Sequence, residues 1–300
     1  MSSSSVWHAQ SGQWQRLGST SISPGTTISA KPIIGGSIAS NLEADFESFE
    51  TTCAGGPLLI RRSYAGSLVF PSTFAASNAG IDVGRRESIW SFKPTPSTFA
   101  AGGNDTWFNN FLDSIPSGHK TMIILWHEPE GELNKGQFTL ADWKAANNRM
   151  GAMVHAKNRP ELRSAICVIG SWGFDPRNPG VGTEFWDSGF TVNIDYIGFD
   201  PYNSGGDFTD LTNQPYFVEA LDWASSHNKQ VLLPEFGCSE DPNGDHTKKA
   251  TWIQHTYQLG ISANMYAMLY FNADGPGGTT MLTTTESKAA FTSINADSKI

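Results

Sequence analysis

From residue 31 onward, short apolar runs recur at a steady interval. They occupy residues 32–34, 58–60, 88–92, 122–126, 165–169, 194–199, 231–233 and 266–271. That makes eight runs, roughly 25 to 43 residues apart. Each has the length of a strand buried on both faces. Helical periodicity fills the intervals. Residues 41–53 place Leu42, Phe46, Phe49 and Cys53 on one face. Thr139-Leu140-Ala141-Asp142 resembles a capping box with Asp in the usual Glu place, and it opens a helix striped by Trp143, Met150 and Val154. Pro160 lies just past its end. Residues 215–227 and 247–259 give further helices, and 284–292 a weaker last one. Strand then helix, eight times, predicts an α/β fold: a (β/α)8 TIM barrel forming a single domain over residues 31–300. An open doubly wound sheet is the rival. It calls for a G-x-G-x-x-G turn after the first strand, and Gly35-Gly36-Ser37 is not followed by one.

Residues 1–30 follow no such pattern. They are rich in Ser, Thr, Gly and Gln, and Arg16 is the sole full charge before Lys31. Trp7 and Trp14 flank a stretch, 9–13, suited to a small hairpin turn. The segment reads as an arm or linker, either a flexible leader or a docking segment to a larger assembly. Residues 1–12 have neither the basic start nor the apolar core of a secretory signal. No apolar run approaches the roughly 18–20 residues of a membrane span.

Composition narrows the partners. With 20 Lys+Arg against 29 Asp+Glu the net charge is −9, which excludes a basic stripe for nucleic acid or an anionic membrane. Ten tryptophans and 18 phenylalanines favour flat, weakly charged ligands such as sugars over phosphates. The three cysteines, Cys53, Cys167 and Cys238, are too sparse for a disulfide framework or a zinc site and read as buried thiols.

In such a barrel the chemistry sits at the C-terminal strand ends. The fourth run leads into Trp126-His127-Glu128-Pro129-Glu130-Gly131-Glu132, and the seventh into Pro234-Glu235-Phe236-Gly237. Glu128 and Glu235 thus face one cleft from opposite sides, the pairing that glycosidic cleavage requires. Glu130 and Glu132 read as acidic loop residues. The second histidine of H-E-x-x-H is missing, so His127-Glu128 is not a zinc motif. Trp90, Trp126, Trp172 and Tyr270 stand in or just after strand ends, where their faces suit stacking on a pyranose; Trp186, in the loop after the fifth strand, is a further subsite candidate.

A glutamate ending strand four after a polar residue, with a second ending strand seven, resembles the large clan of retaining (β/α)8 glycoside hydrolases. The His127-Glu128 pair, Glu235-Phe236-Gly237 and Gly198-Phe199-Asp200-Pro201-Tyr202 are similar to family 26, the β-mannanase family. The chain departs from its usual run before and after His127-Glu128. The resemblance covers residues 31–298 and implies Glu128 as general acid/base and Glu235 as nucleophile. It implies that His127 hydrogen-bonds near the acid/base or the sugar, and that Tyr202 donates to the nucleophile. Arg61 or Arg62 would do similar electrostatic work; strand alternation lets only one of them face the mouth. Asp200 would bind a sugar hydroxyl. The expectation is a retaining glycoside hydrolase that needs no cofactor and no metal, acts on a polysaccharide or oligosaccharide, and works outside the cell or on a virion. The alternative is a non-catalytic carbohydrate-binding barrel serving adhesion within a larger assembly such as a virion.

Overall fold

The computed structural model describes residues 6–10, 13–17, 31–65, 70–175, 181–203, 206–275 and 278–300, with the backbone alone at 6–10, 13–17, 171, 172 and 275. Eight parallel strands form the fold: β1 (Ile33–Ser37), β2 (Ile60–Tyr64), β3 (Glu87–Phe92), β4 (Thr121–Leu125), β5 (Leu162–Val168), β6 (Tyr196–Phe199), β7 (Gln230–Cys238) and β8 (Ala267–Phe271). Each pairs with the next, and β8 returns to pair with β1, so the sheet closes into a barrel. The predicted helices lie outside it: Glu43–Thr52, Leu140–Ala156, Pro215–Ser226, His246–Ser262 and Thr285–Asp297. The capping box is present, with Thr139 Oγ1 accepting the Asp142 N–H at 3.1 Å and Asp142 accepting the Thr139 N–H at 3.3 Å. Near the N-terminus, Val6–Gln10 and Gln13–Leu17 pair as an antiparallel hairpin; the rest of the predicted arm lies outside the described residues. Among the described residues no helix is long and apolar enough to cross a membrane.

Strand alternation divides the apolar side chains into two cores. Ile60, Ile89, Met122, Ile124, Ala165, Leu232, Ala267 and Leu269 fill the barrel. Phe46, Trp90, Phe92, Phe111, Trp143, Tyr270 and Phe291 fill the annulus between strands and helices. Gly35 keeps the interior passable, since a Cβ there would lie 2.4 Å from Ile60. Both cores are apolar, which accounts for near-continuous apolar runs on β4 and β5.

Two strands break the alternation. On β7, Leu232 points into the barrel, whereas Leu233 and Phe236 both join the annulus, and the ladder to β8 shifts between those two. One extra residue is therefore inserted at Pro234-Glu235, a β-bulge. Proline suits it, having no N–H to contribute to a ladder. The second break follows β4. Thr121 donates its N–H to Glu161 O, so a regular parallel ladder would bring His127 to Cys167 O; Glu128 takes that acceptor instead, at 3.0 Å.

Candidate active site

The break after β4 aims Glu128. Trp126 and Glu128 both adopt left-handed backbone, with φ of 51° and 50°. For residues carrying a Cβ this costs about 1–2 kcal/mol each. Neighbouring strands hold the turn in place: Trp126 N–H donates to Phe92 O of β3 at 2.8 Å, and Glu128 N–H to Cys167 O of β5. The Trp126 ring turns away to meet Phe138 edge-on, 4.8 Å between centroids, and its carbonyl accepts from Trp143 Nε1. Strained backbone of this kind collects where a side chain has to be aimed.

The bulge on β7 does the same for Glu235. Its N–H, freed from the ladder, donates to Asp200 Oδ1 at 2.8 Å. Its carboxylate accepts the Tyr64 hydroxyl at one oxygen and the Tyr202 hydroxyl at the other. Arg62 Nη1 lies 3.0 Å from Oε1. Tyr64 is fixed in turn by Ser37 Oγ at 2.6 Å. Arg62 is fully buried; it donates to both Asp200 oxygens at 3.1 and 3.0 Å and through Nε to Ser91 Oγ at 3.0 Å. The Cys167 thiol donates to Asp200 Oδ2 at 3.1 Å.

The two glutamates have unequal surroundings. Burial, then the charges of Asp200, Glu235 and Glu130, hold the Glu128 carboxyl well above the usual range, against the pull of Arg62. Glu128 therefore keeps a proton, while the Glu235 carboxyl oxygens are met by three donors, Tyr64, Tyr202 and Arg62. Burial pushes Asp200 up to about 6 despite Arg62. Burial also raises both tyrosines far above their ordinary value, so they remain donors. His127 is pushed down by burial, with Arg62 and Lys93 adding to it, and stays neutral; its ring centroid lies 5.5 Å from that of Tyr64. One oxygen each from Glu128, Asp200 and Glu235 lies within 4.8 Å of the others. That spacing suits a cation, but Asp200 is fully buried with both oxygens engaged, and Arg62 already supplies positive charge between Asp200 and Glu235. The arrangement offers a proton donor beside a held carboxylate.

The structure thus brings Glu128, Glu235, His127, Tyr202, Arg62 and Asp200 together, and corrects several other expectations. Arg61 points away from the mouth, where it pairs with Glu43 at 2.6 Å. Asp200 has no exposed surface to offer a sugar and instead holds Arg62, Cys167 and the Glu235 amide. Trp90 and Tyr270 are buried in the annulus, stacked on Phe111 (4.3 Å) and packed on Phe291 (5.3 Å) respectively, because each follows an inward-facing residue on its strand. Trp186 stacks on His227 at 3.8 Å, a packing contact. Trp126 stays partly exposed, with the Lys93 ammonium 5.7 Å over its ring. The Trp172 side chain lies outside the described residues. Tyr64 and Cys167 were missed. Tyr64 stands two residues beyond Arg62, so the parity that turns Arg62 inward turns Tyr64 inward as well.

No family model matches the chain, and no curated protein matches it. Solved structures do. The chain is similar to a modular endo-β-1,4-mannanase of glycoside hydrolase family 26 from Cellulomonas fimi, at 12% identity over 89% of this chain and 71% of that one, TM-score 0.54. It is similar to a GH128 subgroup II endo-β-1,3-glucanase from Sorangium cellulosum, at 14% identity over 87% and 98% of the two chains, TM-score 0.57. A glucosidase from Croceicoccus marinus is 13% identical over 90% and 68%, TM-score 0.60. At such identities the likeness shows the fold, the same (β/α)8 barrel.

Proposed function

We propose that the protein is a retaining glycoside hydrolase cleaving β-glycosidic bonds in a polysaccharide or oligosaccharide. The observation carrying this reading is the pair Glu128 and Glu235, one protonated and one held by three donors, with oxygens within 4.8 Å. Retaining enzymes place their carboxyl groups about 5–5.5 Å apart, and inverting ones about 6.5–9.5 Å, to leave room for a water. By their names, the mannanase and the β-1,3-glucanase act on β-linked chains, which supports a β-linked substrate here.

Glu235 attacks the anomeric carbon while Glu128 gives its proton to the departing oxygen. Tyr64, Tyr202 and Arg62 keep Glu235 oriented, and release its charge as the ester forms. Glu128, now ionised, takes a proton from the water that frees the sugar. Neutral His127 stands beside Glu128 in sequence without competing for that proton.

A panel of β-glucans, β-mannans, β-galactans and uronate-bearing polymers, read by reducing-sugar release and by the anomer first formed in NMR, tests the reading. Release with retained configuration is expected. An inverted first product would overturn the mechanism. Binding without release from any polymer would overturn the enzyme reading in favour of a carbohydrate-binding barrel.

A further inference from the structure

Glu130 departs from the sequence expectation of an acidic loop residue. It is 1% exposed. Oε1 accepts the Ile169 N–H at 2.6 Å, and Oε2 is buried without a hydrogen-bond partner among the described residues. Helix Gly170–Phe174 packs directly on it: a Cβ on Gly173 would stand 3.0 Å from Oε1. Burial pushes its carboxyl up to about 8, and the charges acting with burial, Asp200 and Glu132, are acidic.

The ladder explains why a carboxyl belongs there. Cys167 O faces β4, because it accepts from Glu128. Ile169 has the same parity on β5, so its N–H faces β4 as well. A continuing β4 would present a backbone carbonyl to it. The left-handed turns at Trp126 and Glu128 have carried that backbone away. The side chain of Glu130 fills the vacant rung. Residues 128–130 are therefore fastened to the end of β5 at two points, Glu128 N–H on Cys167 O and Ile169 N–H on Glu130 Oε1.

We propose that Glu130 is a positioning residue for Glu128, completing the β4–β5 ladder by its side chain and thereby fixing the strained turn that aims the acid/base. This rests on the role assigned to Glu128 above. It predicts an effect confined to proton transfer. In the full chain, Glu130→Ala should lower kcat on a β-linked polymer by about 10- to 100-fold, the scale of a small misplacement of a reacting group. KM should change by less than about 3-fold, and single-turnover phenol release from an activated aryl glycoside should barely change, since an acidic phenol needs little protonation. Glu130→Gln keeps a neutral acceptor for Ile169 and should restore the polymer rate to within about 3-fold. Should Glu130→Ala not fold, Gly173→Ala presses on the same carboxyl and should show the same split. Equal loss on both substrates, or a Gln variant as poor as Ala, would overturn the proposal. A readout free of substrate separates it from the enzyme reading: hydrogen exchange at the Ile169 amide should quicken at least about 10-fold in Glu130→Ala but not in Glu130→Gln. Unchanged exchange overturns the rung even if the protein hydrolyses sugars; quickened exchange in a protein with no hydrolysis supports the rung and overturns the function.

Discussion

Arg61 and Arg62 are neighbours on one strand, equally buried, and they face opposite sides of it. Outside the barrel, Arg61 joins Glu43, Asp82, Arg86 and Glu50 around the Phe46 ring, with both guanidinium carbons less than 5 Å from its centroid. Inside, Arg62 joins Asp200 and Glu235. The outer cluster has three carboxylates and two guanidiniums, and burial lifts one of its members, Asp82, to about 6. The inner cluster differs in having a partly exposed neighbour, Glu128, and two phenols that donate without adding charge. Buried ion pairs are weak evidence for stability in themselves. What separates the structural cluster from the one proposed to react is access, and the provision of neutral donors around Glu235.

The sharpest test of the inner side removes the proposed nucleophile. Glu235→Ala should abolish hydrolysis of both a polymer and an activated aryl glycoside, a loss on the order of 10⁴ or more in kcat. Glu128→Ala should lose about 10²–10⁴ on the polymer alone. Azide should rescue Glu128→Ala with retained configuration and Glu235→Ala, if at all, with inverted; the opposite pairing would exchange the two roles.

The arginines break the comparison directly. Arg61→Met and Arg62→Met should each cost about 3–5 kcal/mol in denaturant unfolding, since each strands buried carboxylates. Activity per folded molecule should survive the first and fall at least about 100-fold in the second. A catalytic loss in Arg61→Met would show that the outer cluster reaches the site.

Tyr64→Phe and Tyr202→Phe each remove one donor to Glu235 while keeping the ring. Each should lower kcat by about 10- to 1000-fold, with little change in Tm. A smaller effect of either would rank the two phenols.

The gentlest test uses pH. Below about 4.5 Glu130 is protonated whether the chain is folded or not. Between there and about 8 the unfolded chain ionises it while the folded one keeps the proton, so stability falls as pH rises. Melting scans from pH 5 to 8 should show Glu130→Gln gaining a few degrees on the parent chain. Parallel curves would mean that Glu130 ionises in the fold without penalty.

The barrel was legible because both its cores are apolar: every strand announces itself as a run, and the helical stripes between them are regular. The side chosen by a residue was harder to read. The run at 58–60 marks only the beginning of β2, which continues through two arginines to Tyr64, so nothing in it fixed which arginine faced inward. Nearness to strand ends suggests that Trp90 and Tyr270 face the mouth, whereas parity with Ile89 and Leu269 sends them outward. Glu130 escaped notice because charge in a loop ordinarily means solvent, and its partner, an amide left unpaired by a broken ladder, is visible only in three dimensions.

The bulge at Pro234-Glu235 turns the position of the proposed nucleophile into a matter of counting. Strict alternation from Leu232 and Leu233 would turn Glu235 toward the helices and take away the acceptor of both phenols; the extra residue carries it inward. The proposed chemistry depends on a frameshift in the fold, so two relatives can share every residue type near this strand end and differ in activity by whether the strand is bulged there.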